Sequence, residues 1–277
     1  VGLAHVSELG SIENIARAKS EMVTGLPADG FAILNADDIH VAAMSQVTRA
    51  QVITYGRSVD ADVHVTNVEI RNDGTSSFDL TWNDDKVSVL LPLLGEHNIS
   101  NAAAAAAVGL AVGMSLTDIG HALADVTVAS KWRMEVHELA RHITVINDAY
   151  NANPDSMRAA FTTLKAYTPE RRTWAVIAGM HELGEASDSE HAALGQLAAD
   201  CGISHLVIVG DLARPALETA VNAGVQAVWL PEIAQANDYI GQKVAADDVL
   251  LFKASRSEGL ERLAALVIDQ IERGAQQ

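Results

Sequence analysis

Hydrophobic and polar positions change rhythm along the chain, and each rhythm predicts a different kind of element. Ser11, followed by Glu13-Asn14-Ile15-Ala16-Arg17-Ala18-Lys19, has the pattern of a capped helix running to about Gly25. Pro27-Ala28-Asp29-Gly30 reads as a turn and 31–34 as a short buried strand. From about Val52 to Leu91 alternation takes over. The segments 63–70, 78–82 and 87–91 are separated by Asn72-Asp73-Gly74 and Asn83-Asp84-Asp85, which is strand and hairpin chemistry. Two helices are expected next, near 98–113 and 117–125.

After about Ala129 the rhythm changes again. Apolar strands are expected at 143–146, 174–178, 205–209, 226–229 and 249–252. They alternate with helical stretches near 155–167, 188–200, 213–222, 232–243 and 258–272. Such alternation implies an α/β fold with a parallel sheet covered by helices on both faces. A boundary at about 129/130 divides the chain into 1–129 and 130–277, with no internal repeat and no low-complexity linker.

Composition narrows the function classes. The 277 residues, 49% of them hydrophobic, suffice for about two domains with buried cores. No apolar run approaches the roughly 18 residues that span a bilayer, and the Ala-rich stretch 102–107 reads as a packed helix. The net charge of −17, from 19 basic and 36 acidic residues, argues against non-specific binding of nucleic acid or anionic membranes. An anionic small substrate stays open, because a metal or a local Arg inverts the field at one site. Cys201 is the single cysteine, so no intrachain disulfide and no Cys-based metal site is expected, and a cytoplasmic location fits. The start, Val1-Gly2-Leu3-Ala4-His5, has no Met, basic n-region or cleavage signal. It is expected to be the interior of a longer polypeptide.

Two strings stand where chemistry is expected. In Gly95-Glu96-His97-Asn98-Ile99-Ser100-Asn101-Ala102, Asn98 and Asn101 are three apart and share a helix face. An Asn amide both donates and accepts, which suits the N6/N7 edge of adenine; simple N-capping is the competing explanation for one of them. The string from Ile146 to Met157 lies where a strand ends and a helix begins, the usual ligand position of an open α/β sheet. Asn153 or Asp155 could cap that helix, with Pro154 near its first turn, yet the string from Asn147 to Asp155 holds five polar residues. Asp148 could accept hydrogen bonds from ribose hydroxyls.

Weaker signals are the 179–185 loop with His191, Arg133 near the domain junction, and Lys253-Ala254-Ser255-Arg256-Ser257 after the last strand. Each has an ordinary structural explanation: a connecting loop, a surface ion pair, a solvated loop. Neither His5 nor Lys19 stands out from spacing alone. No GxxxxGK[ST] string occurs, although the phosphates of ATP normally require such a nest of backbone N–H groups.

Taken together, the strings resemble the Mur ligases of bacterial cell-wall synthesis. The matching segments are Ala4-His5 with Glu8-Leu9-Gly10-Ser11, Ala18-Lys19-Ser20-Glu21, Gly25-Leu26-Pro27, and Leu34-Asn35-Ala36-Asp37-Asp38. They continue with the Gly95 to Asn101 string, Trp132-Arg133-Met134-Glu135, Asp148 to Met157, Glu182-Leu183-Gly184 with His191, and Lys253 to Ser257, in family order. Tyr150-Asn151-Ala152-Asn153-Pro154 and Ser255-Arg256-Ser257 favour the branch that joins D-alanyl-D-alanine to UDP-N-acetylmuramoyl-tripeptide. The resemblance implies a fold made of the C-terminal part of a P-loop-type central domain, to about 129, followed by a Rossmann-like C-terminal domain. The chain is then expected to begin after the phosphate loop and to be without turnover by itself. Another amino-acid ligase of the Mur or folylpolyglutamate synthetase type, or a non-catalytic nucleotide-binding piece, are the alternatives.

What the resemblance implies about chemistry is an ATP- and Mg2+-dependent ligation through an acyl phosphate, carried out by a cytoplasmic monomer on small-molecule substrates. His5 resembles the ligand of a second magnesium ion, and Lys19 the lysine that family members carbamylate. Asn98 and Asn101, with His97 beside them, resemble adenine readers. Arg133 and Asp148 resemble phosphate and ribose contacts, while Tyr150, Asn151, Ser255 and Arg256 are further candidates for nucleotide or substrate contact. The chain departs from the family pattern at Asn147, where a second Asp is frequent, at Ala178-Gly179 in place of Gly-Asp, and at Ala254 in place of Gly.

Overall fold

In the computed structural model, which describes residues 11–71, 73–127, 130–167 and 170–274, the chain divides into two units, Val1–Thr127 and Val128–Gln277. In the first unit, Ser11 caps helix α1 (Ile12–Thr24) by accepting the Asn14 N–H at 3.2 Å. Strand β1 (Phe31–Asn35), a single turn α2 (Ile39–Ala42) capped by Asp38, and strands β2 (Gln51–Gly56), β3 (Val63–Ile70), β4 (Ser76–Trp82) and β5 (Asp85–Leu91) follow. They form one sheet in the order β1-β2-β3-β4-β5. The first three strands are parallel and the last two add as an antiparallel meander.

Both polar turn strings do what their residues predict. Gly74 takes a positive φ in the β3–β4 turn, and Asn83 takes one between the paired Trp82 and Asp85. The pattern did not single out β2, because Val52, Thr54 and Tyr55 are only half-buried and alternation is weak there. Helix α3 (His97–Ala111) lays Ala102, Ala103, Ala106 and Ala107 into the core with Ile53, Val63 and Leu80. Helix α4 (Leu116–Ala124) is capped by Ser115.

The second unit alternates strands and helices. These are β6 (Glu135–Glu138), β7 (Thr144–Asn147), α5 (Pro154–Tyr167), β8 (Thr173–Ile177), α6 (Ser187–Asp200), β9 (His205–Val209), α7 (Ala216–Asn222), β10 (Gln226–Leu230), α8 (Ile233–Lys243), β11 (Val249–Lys253) and α9 (Leu260–Gly274). The sheet order is β10-β9-β8-β11-β7-β6, parallel except for the edge strand β6. Four strands are buried along their whole length, as parallel strands covered on both faces must be. Val145, Val176, Val207, Leu250 and Phe252 pack with Ala236, Ile240, Leu263 and Val267 of α8 and α9, and α5 lies against β8 and β11.

The chain runs outward through β8, β9 and β10 and then returns, so that β11 inserts between β7 and β8. That reversal makes the carboxyl ends of β7, β8 and β11 a topological switch point, where open α/β sheets hold ligands. Two details differ from the sequence pattern. Strand β6 was not expected, because its residues are polar and half-exposed. Strand β11 runs one residue further than expected, and Lys253, Ala254 and Ser255 are buried rather than part of a solvated loop. Among the described residues no helix is long and apolar enough to cross a membrane.

Candidate functional site

Strands β7 and β11 lie side by side, and their pairing continues past β7 through the Asp148 N–H to the Phe252 carbonyl at 2.8 Å. This places Asp148 beside Lys253, the last residue of β11. Lys253 is 2% exposed, and its Nζ donates to Asp148 Oδ2 at 2.6 Å and to the Asn151 carbonyl at 2.9 Å. The other Asp148 oxygen accepts the Met134 N–H at 3.1 Å. Each carboxylate oxygen can accept a second hydrogen bond, so Asp148 keeps acceptor capacity toward a ligand. Asn151 turns its own Oδ1 back to the Ala152 N–H at 2.9 Å.

A second layer of the site is built on Trp132-Arg133-Met134. Trp132 and Met134 both take positive φ, 60° and 50°, a strained state for bulky residues. Three contacts hold them there. The Trp132 N–H donates to Glu135 Oε2 at 3.1 Å, the Trp132 carbonyl accepts the Tyr150 N–H at 3.1 Å, and the Met134 N–H meets Asp148. The Arg133 guanidinium lies 4.1 Å from the centre of the Tyr150 ring, and that of Arg256 lies 3.9 Å from the Trp132 ring. Both arginines are exposed. A guanidinium stacked by its face presents its N–H edge outward, the geometry that recognises phosphate or carboxylate. Arg256 also lies 3.5 Å from Glu261.

Ser255 is buried, donates to the Ala152 carbonyl at 3.3 Å and accepts the His181 N–H at 3.0 Å. Its hydroxyl therefore ties the loop after β11 to those after β7 and β8, a structural role. The ring of His181 meets the Glu258 carboxylate. His191 is fully buried; its Nδ1 donates to the Ser187 carbonyl at 2.7 Å and its Nε2 accepts the Met180 N–H at 2.8 Å. It pins the loop after β8 from behind. Asn153 proves to be the cap of α5, accepting the Ser156 N–H at 2.8 Å while Ser156 Oγ accepts the Asn153 N–H at 3.0 Å. Asn147 is buried and accepts the Ala149 N–H at 3.3 Å.

In the first unit, Asn98 is not the cap of α3: that position is Glu96, which makes no side-chain capping bond. Asn98 instead donates to the Leu94 carbonyl at 2.7 Å, and its Oδ1 accepts Asn101 Nδ2 at 3.0 Å. The pair is thus fixed as one unit on the first turn of α3, and the Asn101 oxygen with its remaining N–H forms an exposed donor–acceptor edge. His97 is exposed on the same turn. Asp37 binds the Arg57 and Ser58 N–H groups at 2.8 and 2.7 Å. That close approach requires Gly56, where a Cβ would lie 2.7 Å from the Asp37 carboxylate. Lys19 lies on the exposed side of α1, and His5 lies outside the described residues. Among the described residues no three His, Cys, Asp or Glu side chains gather into a metal site.

Trp132 and Lys253 lie within strings that the sequence singles out, but sequence reasoning gave neither a role of its own. A lysine closing the run Val-Leu-Leu-Phe is a visible signal; the Trp132–Arg256 stack has none, since it joins residues far apart in the chain.

Comparison with known proteins gives the family. Residues 1–109 match the Mur ligase middle domain and residues 132–256 the Mur ligase, glutamate ligase domain. A curated relative, UDP-N-acetylmuramoyl-tripeptide–D-alanyl-D-alanine ligase of Mycobacterium bovis, is 38% identical over 97% of this chain and 57% of its own length. The ligase of that name from Escherichia coli is 36% identical over 80% of this chain and 48% of its own. The chain spans about half the length of the curated relatives it matches. Among solved structures, MurF from Acinetobacter baumannii superposes with a TM-score of 0.86 at 33% identity, over 97% of this chain and 58% of that one. MurF from Thermotoga maritima in complex with ADP shares the fold, with a TM-score of 0.83 at 22% identity, over 99% of this chain and 61% of that one.

Proposed function

The chain belongs to the Mur ligase family, and from that membership we propose that it serves an ATP-dependent ligation of D-alanyl-D-alanine to UDP-N-acetylmuramoyl-tripeptide, in the cytoplasm. The observation that carries the reading is the match of two family domains in order, with 38% identity to a ligase of that name across 97% of the chain.

The chemistry has a physical requirement. An amine does not displace oxide from a carboxylate, so the leaving group must be changed. Transfer of the terminal phosphoryl group of ATP to the tripeptide carboxylate gives an acyl phosphate. The dipeptide amine adds to the carbonyl carbon, loses a proton, and phosphate departs as the amide forms. The demand on the protein is positioning and charge stabilisation.

The residue chemistry of each unit, taken by itself, supports contact with a nucleotide. Arg133, exposed and lying over the Tyr150 ring, is assigned to phosphate. Asp148, with unused acceptor positions, is assigned to the ribose hydroxyls. The linked pair Asn98 and Asn101 is assigned to the adenine edge, with His97 beside it. Arg256 is assigned to an anionic group of substrate; Tyr150 and Asn151 shape its neighbourhood, and Ser255 fixes the loop. A magnesium requirement, with His5 and a carbamylated Lys19 at the ion, rests on the resemblance.

The test is phosphate release by the protein that carries this sequence, given ATP, magnesium, UDP-N-acetylmuramoyl-tripeptide and D-alanyl-D-alanine. Release that depends on the dipeptide is expected; release indifferent to it overturns the assignment. One observation favours a second reading for the chain by itself, nucleotide binding without turnover: the sequence holds no GxxxxGK[ST] loop. Calorimetry with ATP on this chain, alongside an assay for ADP, separates the two.

A further inference from the structure

We propose that Lys253 is a positioning residue whose buried charge neutralises Asp148, so that a polyanionic nucleotide can approach a carboxylate that reads its ribose. The inference rests on the nucleotide reading above. Three observations carry it.

Lys253 is not placed to bind phosphate itself. It is 2% exposed, and its Nζ is held by Asp148 Oδ2 at 2.6 Å and the Asn151 carbonyl at 2.9 Å. The charge it compensates sits nearer solvent: the Asp148 side chain is 15% exposed, and Lys253 contacts only one of its two oxygens. Its second bond fixes the backbone at Asn151, next to Tyr150, whose ring supports Arg133. One lysine therefore sets both the charge of the carboxylate and the course of the loop that carries Tyr150.

Stability alone does not explain the pair. Burying two opposite charges costs desolvation that their attraction only about repays, and an apolar pair of the same volume does as well or better. A carboxylate left uncompensated beside a triphosphate would repel it across a few ångströms of partly desolvated space, by about tenfold in affinity or more. Adenosine, which has ribose and base but no charge, would not feel that repulsion.

The experiment is calorimetric titration of the chain with adenosine, ADP and ATP. Lys253→Met is expected to weaken ATP by about tenfold or more, ADP by less, and adenosine by no more than about twofold. An equal loss for all three ligands overturns the proposal, because a merely structural lysine would act that way. The double variant Asp148→Asn/Lys253→Met, compared with Asp148→Asn, supplies the decisive pair should Lys253→Met fail to fold. With Asp148 neutral, removing Lys253 is expected to change the ATP-to-adenosine affinity ratio by less than about twofold. A persisting selective loss of ATP would mean that Lys253 acts on the phosphates by a route other than the charge of Asp148, and would overturn the proposal. Absence of all nucleotide binding by the unaltered chain sinks the underlying reading and this inference with it; that outcome is distinct from either variant result.

Discussion

His191 shows how a residue in a motif earns its place by bonding rather than by reacting. Its ring is held neutral by two fixed partners, a carbonyl at Nδ1 and an N–H at Nε2. Burial is the main cause that pushes its pKa below the ordinary value of 6.5. His205, stacked on Trp174 at 4.1 Å with a buried, unpartnered Nδ1, is pushed the same way by burial and then by Arg172. The unfolded chain binds protons on these rings that the folded chain refuses. Stability is therefore full above about pH 6.5 and declines as pH falls below it. Urea midpoints are expected to drop between about pH 7.5 and about pH 5.5. His191→Leu is expected to cost about 2–3 kcal/mol by stranding the buried Met180 N–H, and to flatten part of that slope. A slope unchanged in the variant would remove His191 from the explanation. From the sequence His191, downstream of the 179–185 stretch, went with a string that read equally as an ordinary strand-to-helix loop or as a substrate contact. Its partners lie in the loop before it and in its own helix, and only folding joins them. Lys253 was less legible still, because its carboxylate partner lies 105 positions away.

The elements were legible where periodicity is strong and obscure where it is not. Strand β9 matches its expected residues, and the strands around it match within one residue at each end, because continuous apolar runs bounded by polar turns leave little choice. Strand β3 was found, but its irregular pairing between Thr66 and Glu69 was not. That irregularity is held by Asn67 at φ 52°, whose amide donates to Asp79 at 2.6 Å. Asp79 on β4 also accepts Ser88 Oγ at 2.6 Å and Lys86 Nζ at 2.7 Å. The Lys86 contact, followed by Ser88 and Asn67, lowers its pKa from 3.8 to about 2. A depressed carboxyl contributes stability that is full above the unfolded value and is lost as pH falls through the folded one. Asp79→Asn is expected to cost about 1–2 kcal/mol at neutral pH. The gap from the unaltered chain should close as pH is lowered from 3.8 toward 2. A gap that stays constant over that range would show that the charge of Asp79 is immaterial.

At the scale of the whole molecule, the sheet of the second unit has two ends with different duties. The carboxyl ends of β7 and β11 carry Asp148, Lys253 and the stacked arginines. At the opposite end Asp248 is 1% exposed and accepts from Arg172 Nε at 2.7 Å, Trp174 Nε1 at 3.0 Å and the Ala245 N–H at 2.8 Å. Arg172→Met leaves that buried carboxylate without its cation and is expected to cost about 3 kcal/mol, read as a lower thermal midpoint. Nucleotide affinity measured well below that midpoint should be unchanged; a matching loss of affinity would contradict the division of duties. Among the described residues, the core cluster of Val145, Val176, Leu250 and Phe252 lies wholly within the second unit, from which we expect 130–277 to fold cooperatively alone. A sigmoidal melt of that piece by circular dichroism checks it; a gradual one refutes it. Strand-helix alternation made this unit readable from sequence. The first unit was harder, because its parallel strands and its meander share one sheet.

The alanine face of α3 has a consequence for genetics. Ala102, Ala103, Ala106 and Ala107 are buried against strands that leave no room for a larger side chain, while Val108 on the same helix is 51% exposed. In a saturation library, changes at these alanines should be ranked by size rather than by polarity, with Ser tolerated better than Leu. Because the same helix carries Asn98 and Asn101 at its start, moderate enlargements should yield temperature-sensitive protein, folded when cool and lost on warming. Substitutions at Val108 should pass unnoticed.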